Sequence, residues 1–459
     1  MKPERLIYTF VSYASNYNTG WGKGTPLEGI ERTAKLAHKH NIPVTWIVNG
    51  GSIPHLKASI LEWHEQYGDD VILQCPMYGQ DPRNRKEELK ALLSQDWELL
   101  QEAFPWAKTK VAARGQISQE IIQALEELDF QGLWGYCWEQ TWWDGISHKG
   151  IPWGFWYVDS NRYKLVHPGK GKIVGCEWTV RDFNHTYHSG CPCIYSTDPN
   201  DVLRAGLCTG DNIDYWKSIF HDYLNNTDHN EQVFFLQQQE SHEMEYSDQF
   251  AVFPSSHVEE CEGMLDHFFS YIKSYPITFT TLPAAVTSYH EKNPVTASSY
   301  ILTESSGYQP DTNEYTLTLG GTATGPWPET FLYYDRFTQM AFVKGECVPR
   351  TLRSYVGKSN MNDEFLEKVP QVFTVAYRKS DNMIDITFEV GYSSPLPFGL
   401  TYWDELSEYE VLSCEGASEV KLIQDKLVFM RFDLDGSKKL IRLILQKYIR
   451  TAVSQDENR

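Results

Sequence analysis

Basic residues are scarce in this sequence of 459 residues: 41 Lys and Arg stand against 61 Asp and Glu, which gives a formal net charge of −20. Proteins that bind nucleic acids or anionic membrane surfaces need a basic patch, because much of their affinity comes from counterions that the phosphate groups release. The charge therefore argues against a nucleic acid or a membrane as a partner. Binding of a neutral ligand is unaffected by it.

Long apolar runs are also missing. No segment approaches the run of about 18 apolar residues that spans a membrane, and residues 1–17 lack the apolar stretch and the cleavage site of a signal peptide. Nine cysteines, an odd number without regular spacing, favour a reducing compartment over a disulfide framework. We therefore expect a cytoplasmic protein.

Motifs for nucleotide cofactors and for one class of serine hydrolase are absent as well. The sequence contains neither a P-loop nor a Gly-x-Gly-x-x-Gly run after a strand. It also lacks the Gly-x-Ser-x-Gly elbow. These absences predict an enzyme or binding protein without a cofactor.

Strand-like and helix-like segments alternate through residues 1–290. Strands are predicted at 5–13, 42–50, 70–75, 110–114, 132–138, 172–180, 232–240 and 276–282, and helices at 27–40, 55–67, 85–103, 118–128, 212–224 and 256–273. This order predicts an α/β fold with a parallel sheet, curled into a distorted barrel of the (β/α)7 type. In such barrels the site lies at the carboxyl ends of the strands.

The pattern changes after residue 290. Alternating strand patterns with turns between them, among them EYTLTLGG, QVFTVAYRK, MIDITFEVGY and KKLIRLILQ, predict an all-β sandwich over 297–452. The tail 453–459 is predicted to be disordered.

Tryptophan is concentrated in one segment. Seven of the 15 tryptophans fall between Trp134 and Trp178, interleaved with Glu and Asp. Indole rings stack on the apolar faces of sugars, while carboxylates bind hydroxyls or transfer protons. The segment therefore favours a carbohydrate site, although filling a large core would also account for the rings. Predicted stacking residues are Trp138, Trp142, Trp143 and, in an early glycine-rich loop, Trp21.

Three carboxylates are predicted to be catalytic. Glu139 follows a strand and lies between tryptophans, so apolar surroundings would raise its pKa for proton donation. Asp182 ends a strand beside Arg181, a cation that favours its ionised form. Glu240 ends the strand QVFFLQQQE, and strand alternation places Gln238 on the same face.

Four further polar side chains are predicted to bind the substrate. They are Arg114, Arg181, Gln238 and His242.

The barrel pattern resembles the glycoside hydrolase/deacetylase barrels, which include NodB-type polysaccharide deacetylases and family 57-like glycoside hydrolases. The likeness covers roughly residues 5–290 and rests on a strand with Thr9-Phe10, on IPVTWIV, on Arg114 and on TFTTLPAAV. The deacetylases follow Thr-Phe with two Asp, where this chain has Val11-Ser12. They also place two metal-binding His where this chain has Gln74 and Tyr78.

These departures remove the deacetylase metal motif, so we predict a metal-independent glycoside hydrolase that acts on an oligosaccharide or polysaccharide. Two alternatives stay open. One is a metal-dependent carbohydrate deacetylase or esterase whose ligands come from elsewhere, such as His185, His188, Cys191 and Cys193. The other is an inactive barrel that binds glycans.

Overall fold

The computed structural model describes the chain in separate ranges. They are 1–14, 27–76, 85–113, 117, 119–136, 154–167, 169–182, 185, 194–247, 251–297, 300–304, 307–318, 331–335, 340–343, 371–391, 395–403, 409–423 and 427–448. The chain divides into two compact units, one of Met1–Ala341 with Tyr355–Leu366 and one of Phe342–Ser354 with Glu367–Arg459. The predicted domain boundary between residues 290 and 297 stays a prediction.

Ten strands form the main sheet of the first unit. They are β1 (Leu6–Tyr13), β2 (Val44–Val48), β3 (Asp70–Gln74), β4 (Val111–Ala113), β5 (Gly132–Tyr136), β6 (Phe155–Asp159), β7 (Arg162–Val166), β8 (Val174–Glu177), β9 (Val233–Glu240) and β10 (Thr278–Phe279). The order is β10-β1-β2-β3-β4-β5-β8-β6-β7, and β9 pairs with β1.

Nine helices accompany the strands in the described ranges. They are α1 (Leu27–Lys39), α2 (Ile53–Tyr67), α3 (Lys86–Ala103), α4 (Gln119–Glu127), α5 (Pro199–Arg204), α6 (Asp214–Asn225), α7 (Ser255–Ile272), α8 (Leu282–Lys292) and α9 (Glu314–Thr318). In these ranges no helix combines the length and the apolar composition needed to cross a bilayer.

The sheet curls back on itself. β1 pairs in parallel with β2 on one side and with the whole of β9 on the other. Beyond β8, the Val180 N–H donates to the Leu236 carbonyl of β9 at 2.9 Å. This bond joins the two ends of the parallel series β9-β1-β2-β3-β4-β5-β8. The predicted (β/α) barrel is thus confirmed.

The inner face of the curled sheet packs against α8. Leu282, Ala285, Val286 and Tyr289 of this helix belong to one buried cluster with side chains from the inner face of β1, β2, β5 and β9. Full burial of a Leu or Val side chain, as at Leu282 and Val286, contributes about 1.5–3 kcal/mol of transfer free energy. The helix therefore fills one end of the barrel and leaves the carboxyl edge for a site.

Antiparallel strands dominate the rest of the chain. The described strands are β11 (Tyr300–Glu304), β12 (Phe331–Asp335), β13 (Met340–Val343), β14 (Gln371–Lys379), β15 (Met383–Gly391), β16 (Pro395–Trp403), β17 (Tyr409–Glu415), β18 (Glu419–Ile423), β19 (Leu427–Asp435) and β20 (Lys439–Lys447). They form separate sheets in the orders β11-β12-β13, β14-β15-β20-β17 and β16-β19-β18. In β15 every second residue from Ile384 to Val390 is buried. The predicted all-β region after the barrel is confirmed.

One predicted strand is wrong. EYTLTLGG was predicted to be a strand, but its first five residues form α9. The Asn313 carboxamide oxygen accepts from the Thr316 N–H at 3.0 Å, and the Thr316 hydroxyl donates to the Asp311 carbonyl at 2.9 Å. These local bonds favour a helical turn over a strand, because they satisfy backbone groups that a strand would pair with a neighbour.

Candidate active site

Tyr13 and Glu240 end two neighbouring parallel strands and lie opposite each other in the register of β1 and β9. They alternate in phase with Val11 and Leu236, which belong to the core inside the curled sheet. Burial raises the pKa of the Tyr13 phenol, and the charge of Glu240 raises it further. A protonated phenol thus lies beside a carboxylate at the carboxyl edge, where barrel enzymes hold their sites.

The 3-10 turn Ser241–Met244 follows β9 directly and adds two groups to this edge. Ligand atoms of Glu240, His242 and Glu243 all lie within 4.8 Å of one another. His242 Nε2 is 3.2 Å from Glu240 Oε2; the Glu240 side chain is 24% exposed, whereas that of His242 is 9% exposed. We call these three residues the Glu240 cluster. The Glu240 carboxylate is partly exposed at the end of β9, so a ligand that enters at the carboxyl edge of the barrel can contact it.

The His242 imidazole is uncharged near neutral pH. Burial lowers its pKa to about 4, because a charged ring would lose its hydration. A neutral imidazole can accept a hydrogen bond or coordinate a metal ion.

Helix α5 contacts the Glu240 cluster. The Asp198 carboxylate caps this helix by accepting from the N–H groups of Asn200 and Asp201. Its other oxygen accepts from the Gln238 carboxamide, and the Asn200 carboxamide donates to Glu243. The side chains of Gln238 and Glu243 therefore both form hydrogen bonds with the first turn of helix α5.

Two residues of α7 contact the side chain of Asn200. Its carboxamide oxygen lies 2.9 Å from His257 Nε2 and accepts from Cys261 Sγ at 3.2 Å. Because these two contacts engage the carboxamide oxygen, the NH2 group of Asn200 is directed toward Glu243. An amide donor at a carboxylate favours the ionised form.

Helix α1 approaches the turn after β9 very closely. The Gly29 N–H donates to Glu245 at 3.0 Å. A Cβ atom added at Gly29 would lie 2.0 Å from the Ser241 carbonyl oxygen. Glycine is therefore required here by the space between the helix and the turn that carries His242 and Glu243.

Asp182 lies in a buried ion pair. Its side chain Oδ2 is 2.6 Å from His185 Nδ1, and its Oδ1 accepts from the His185 N–H at 3.1 Å. His185 Nε2 donates to the Tyr308 carbonyl at 2.8 Å. Burial lowers the pKa of His185, but the charge and hydrogen bond of Asp182 outweigh burial, and the net pKa is raised. Both carboxylate oxygens of Asp182 are thus engaged, and its predicted catalytic role stays a prediction.

The contacts of His185 also bear on the alternative metal site that the sequence suggested at residues 185–193. Both ring nitrogens of His185 already have protein partners. Its ring offers no free lone pair for a metal in this arrangement. The other members of that cluster, His188, Cys191 and Cys193, lie outside the described residues.

Two predicted substrate-binding residues are deeply buried. Arg181 is 2% exposed, and its guanidinium lies 5.1 Å from the centre of the Trp178 ring. Gln238 is fully buried on the inner face beside the Glu240 cluster. Their roles in substrate binding, like that of His242, stay predictions.

Several predicted site residues lie outside the described ranges. They are Glu139, Trp138, Trp142, Trp143, Trp21 and Arg114. Of the tryptophan-rich segment, Trp134, Trp156 and Trp178 are described, and all three are buried. Trp134 donates to the Trp178 carbonyl at 3.0 Å and packs edge-on against Tyr13. Trp134 and Trp178 belong to the core inside the curled sheet, whereas Trp156 packs edge-on against Tyr136.

The positions of the deacetylase metal motif hold unsuitable donors. Val11 is apolar and buried in the core. The Gln74 carboxamide oxygen accepts from Asn49 Nδ2 at 3.3 Å. A site that needs an aspartate and two imidazoles is therefore not assembled at these positions.

The sequence analysis missed three residues of the site: Glu243, Asp198 and Asn200. The segment Thr-Asp-Pro-Asn-Asp carries a signal for Asp198, because Asp before Pro is a common start of a helix. Nothing in the sequence pairs this helix with the end of β9, since that contact joins residues about 40 positions apart.

Comparison with known proteins supports the fold. No family model and no curated protein sequence matches the chain. A candidate glycoside hydrolase/deacetylase structure from Parabacteroides distasonis matches with a TM-score of 0.51 at 12% identity, over 74% of this chain and 82% of that chain. A candidate polysaccharide deacetylase from Mycobacterium smegmatis matches with a TM-score of 0.41 at 12% identity, over 64% and 94%. The 4-alpha-glucanotransferase from Thermococcus litoralis matches with a TM-score of 0.40 at 9% identity, over 97% and 100%. The predicted likeness to the glycoside hydrolase/deacetylase barrel is confirmed as a likeness of fold.

Proposed function

We propose that this barrel is a carbohydrate-active enzyme that hydrolyses glycosidic bonds with carboxylates of the Glu240 cluster. The observation that carries the proposal is the partly exposed Glu240 at the carboxyl end of β9, with Glu243 and His242 within 4.8 Å. Two carboxylates on either side of a glycosidic bond are what this reaction needs. The likeness of fold to a candidate glycoside hydrolase/deacetylase agrees with the proposal.

The spacing of the two carboxylates favours a retaining reaction. Oxygens of Glu240 and Glu243 lie within 4.8 Å of each other, and retaining enzymes hold their carboxyl groups about 5–5.5 Å apart. Glu243, ionised and accepting from Asn200, attacks the anomeric carbon while Glu240, in its protonated form, gives its proton to the leaving oxygen and becomes a carboxylate. Water then attacks the glycosyl-enzyme, Glu240 accepts its proton, and Glu243 leaves. Glu139 and Asp182 stay predicted contributors to the same site.

Isosteric variants test these roles. Glu240→Gln and Glu243→Gln remove one proton donor or nucleophile each with little change of shape, and each should lower kcat by about 10²–10⁴-fold. Glu231→Gln, an exposed residue before the start of β9, is the matched control and should act as wild type. Release of reducing sugar from a panel of oligosaccharides gives the rates. Wild-type rates in both cluster variants would refute the assignment.

A metal-dependent carbohydrate esterase is the second candidate, and one observation favours it. Two carboxylates and a neutral imidazole, the donors of many catalytic metal sites, lie together in the Glu240 cluster. Glu240, His242 and Glu243 would hold the ion. A divalent ion there would supply Lewis-acid activation of an acyl group.

Elemental analysis and chelation separate the two candidates. The hydrolase needs no ion, so chelator dialysis should leave sugar release unchanged. About one tightly held divalent ion per chain, with acetate release that chelator abolishes, would favour the esterase instead. Measuring both products on acetylated and free oligosaccharides makes the outcomes distinct.

A further inference from the structure

Helix α7 presents two side chains to one buried oxygen atom next to the Glu240 cluster. His257 and Cys261 are four residues apart, so one turn of the helix places them on the same face. His257 Nε2 lies 2.9 Å and Cys261 Sγ 3.2 Å from the carboxamide oxygen of Asn200. Asn200 is 1% exposed, and its NH2 group donates to Glu243. A continuous set of hydrogen bonds therefore joins α7, α5 and the turn after β9.

The position of the proton on the His257 ring decides which way the Asn200 carboxamide faces. A carboxylate only accepts hydrogen bonds, so the group of Asn200 that faces the ionised Glu243 must be NH2. The carboxamide oxygen then faces His257, and the nitrogen Nε2 at this contact must carry a proton. With the proton on Nδ1 instead, Nε2 would be an acceptor. It would then favour the opposite orientation, with the amide oxygen against the Glu243 carboxylate.

The surroundings of His257 favour a neutral ring with a fixed plane. Its pKa is lowered to about 4, first by burial and then by the charge of Arg204, whereas Glu260 acts in the opposite sense. A neutral imidazole carries one proton, which the contact with Asn200 places on Nε2. The ring also stacks on Phe253, with the ring centres 4.1 Å apart. Stacking limits rotation of the ring and keeps Nε2 directed at Asn200.

Asn200 has little freedom to turn away from this arrangement. Its backbone N–H donates to Asp198 at 2.9 Å in the first turn of α5. Burial raises the pKa of the Cys261 thiol well above its ordinary value, so Cys261 contributes a second donor to the carboxamide oxygen. Reversing the carboxamide would leave these buried donors and the Glu243 carboxylate facing the wrong groups.

We propose that His257 is a positioning residue of the reaction: through Asn200 it holds an N–H donor on Glu243 and so fixes the orientation of the carboxylate that attacks the sugar. The inference rests on the proposed function. The hydrogen bonds run in the order His257, Asn200, Glu243, so the effect of His257 on the reaction depends on Asn200. A nucleophile that is displaced slightly from its line of attack reacts much more slowly, even though the substrate still binds.

Two substitutions at His257 separate its hydrogen bond from its shape. His257→Phe keeps a ring beside Phe253 and removes the donor, so kcat on the oligosaccharide panel should fall about tenfold while KM stays within about twofold. His257→Gln offers an amide N–H in place of the ring N–H and should restore kcat to within about threefold of wild type. A purely structural role predicts the reverse order, because Phe replaces the stacked ring better than Gln does. His55→Phe, at an exposed position of α2, is the matched control and should act as wild type.

A double substitution tests whether His257 acts through Asn200. In Asn200→Leu, adding His257→Phe should change kcat by less than about twofold, because the connecting amide is already gone. Thermal unfolding of each variant checks that it is folded. A further loss of about tenfold in that background, or equal kcat in His257→Phe and wild type, would overturn the inference.

NMR of the wild type separates failure of this inference from failure of the proposed function, because it needs no turnover. In protein with ¹⁵N-labelled histidine at pH ~7, the His257 ring should carry its proton on Nε2, and the loss of its signals in His257→Gln assigns them. If the proton lies on Nε2 but no sugar of the panel is hydrolysed, the proposed function fails and the hydrogen-bond order stands. A proton on Nδ1, with Nε2 unprotonated, would overturn the inference whether or not the protein hydrolyses a sugar.

Discussion

At the residue scale, two carboxylates predicted to share one role lie in opposite surroundings. Asp182 is 5% exposed, and both its oxygens contact His185. Glu240 is 24% exposed at the mouth of the barrel. A carboxylate that must exchange a proton with a substrate needs an accessible oxygen. We therefore assign the proposed catalysis to Glu240, while the catalytic role of Asp182 stays a prediction.

The Asp182–His185 pair should stabilise the fold, most at acid pH. The folded-state pKa of His185 is raised, so its contribution is complete below the unfolded value of about 6.5 and is lost as pH rises through the folded value. Asp182→Asn should cost roughly 1–3 kcal/mol and cost more at pH ~5.5 than at pH ~8.5. Urea unfolding followed by circular dichroism measures both. Exposed Asp211→Asn is the control, and a pH-independent difference would contradict the pair's charge.

His242 should lower the stability of the fold as the pH falls, which is the opposite of the effect of the Asp182–His185 pair. Its folded-state pKa is lowered to about 4, so the unfolded chain binds a proton first as pH falls. The wild type should lose up to about 3 kcal/mol between pH ~6.5 and ~4 from this group. His242→Gln should remove that loss while keeping a polar side chain. If the free energy of unfolding varied with pH in the same way in the wild type and in His242→Gln, the His242 ring would not be buried in its neutral form.

At the element scale, the position of the Glu240 cluster depends on the contacts that α1 and α5 make with the turn Ser241–Met244. Helix α5 holds it through Asn200 and Glu243. Helix α1 touches it at Gly29, where no side chain fits. Neither helix carries a cluster residue, yet both fix where the cluster lies.

Gly29→Ala should therefore impair catalysis without touching the substrate. The new methyl group would overlap the Ser241 carbonyl, so the turn must shift. We expect a cost of about 1–3 kcal/mol in stability and a fall of about 10²-fold in kcat. Gly51→Ala, whose nearest contact would be 3.4 Å away, is the matched control. Unchanged kcat in Gly29→Ala would show that the turn is not held in place.

Elements with strong periodicity were predictable from the sequence. The predicted strands at 5–13 and 232–240 correspond to β1 and β9 within one residue at each end, and the helix at 256–273 corresponds to α7. In the barrel, the prediction missed β6, β7, α5 and α8. Helix α5 has six residues, too few for a period, and α8 was taken only as the end of the domain. Strand β6 pairs antiparallel within an otherwise parallel barrel, which the alternation of elements does not suggest.

At the scale of the whole molecule, the sequence predicted Glu240 and His242 at the carboxyl edge but not the residues of helix α5 that contact their neighbours. Strand alternation correctly placed Gln238 and Glu240 on one face, because that depends on neighbours in sequence. The pairing of Glu243 with Asn200 and of Asp182 with His185 depends on how distant segments or loops pack. Such contacts leave no periodic trace in a single sequence.

The overall charge also makes a prediction about substrate binding. A chain with a net charge of −20 repels anions at long range, but a neutral oligosaccharide feels no such field. Its kcat/KM should vary by less than about twofold between ~0.05 and ~0.5 M NaCl, over which the Debye length falls severalfold. A steep rise of kcat/KM with salt would instead indicate an anionic substrate that the protein charge repels.

The most direct test of the proposed hydrolase is the rate of sugar release by metal-depleted wild type and metal-depleted Glu240→Gln on the same oligosaccharide panel. We expect the depleted wild type to retain its full rate and Glu240→Gln to lose about 10²–10⁴-fold. Equal rates in the two proteins, or a wild-type rate that disappears with the metal and returns with zinc, would contradict catalysis by the carboxylates of the Glu240 cluster.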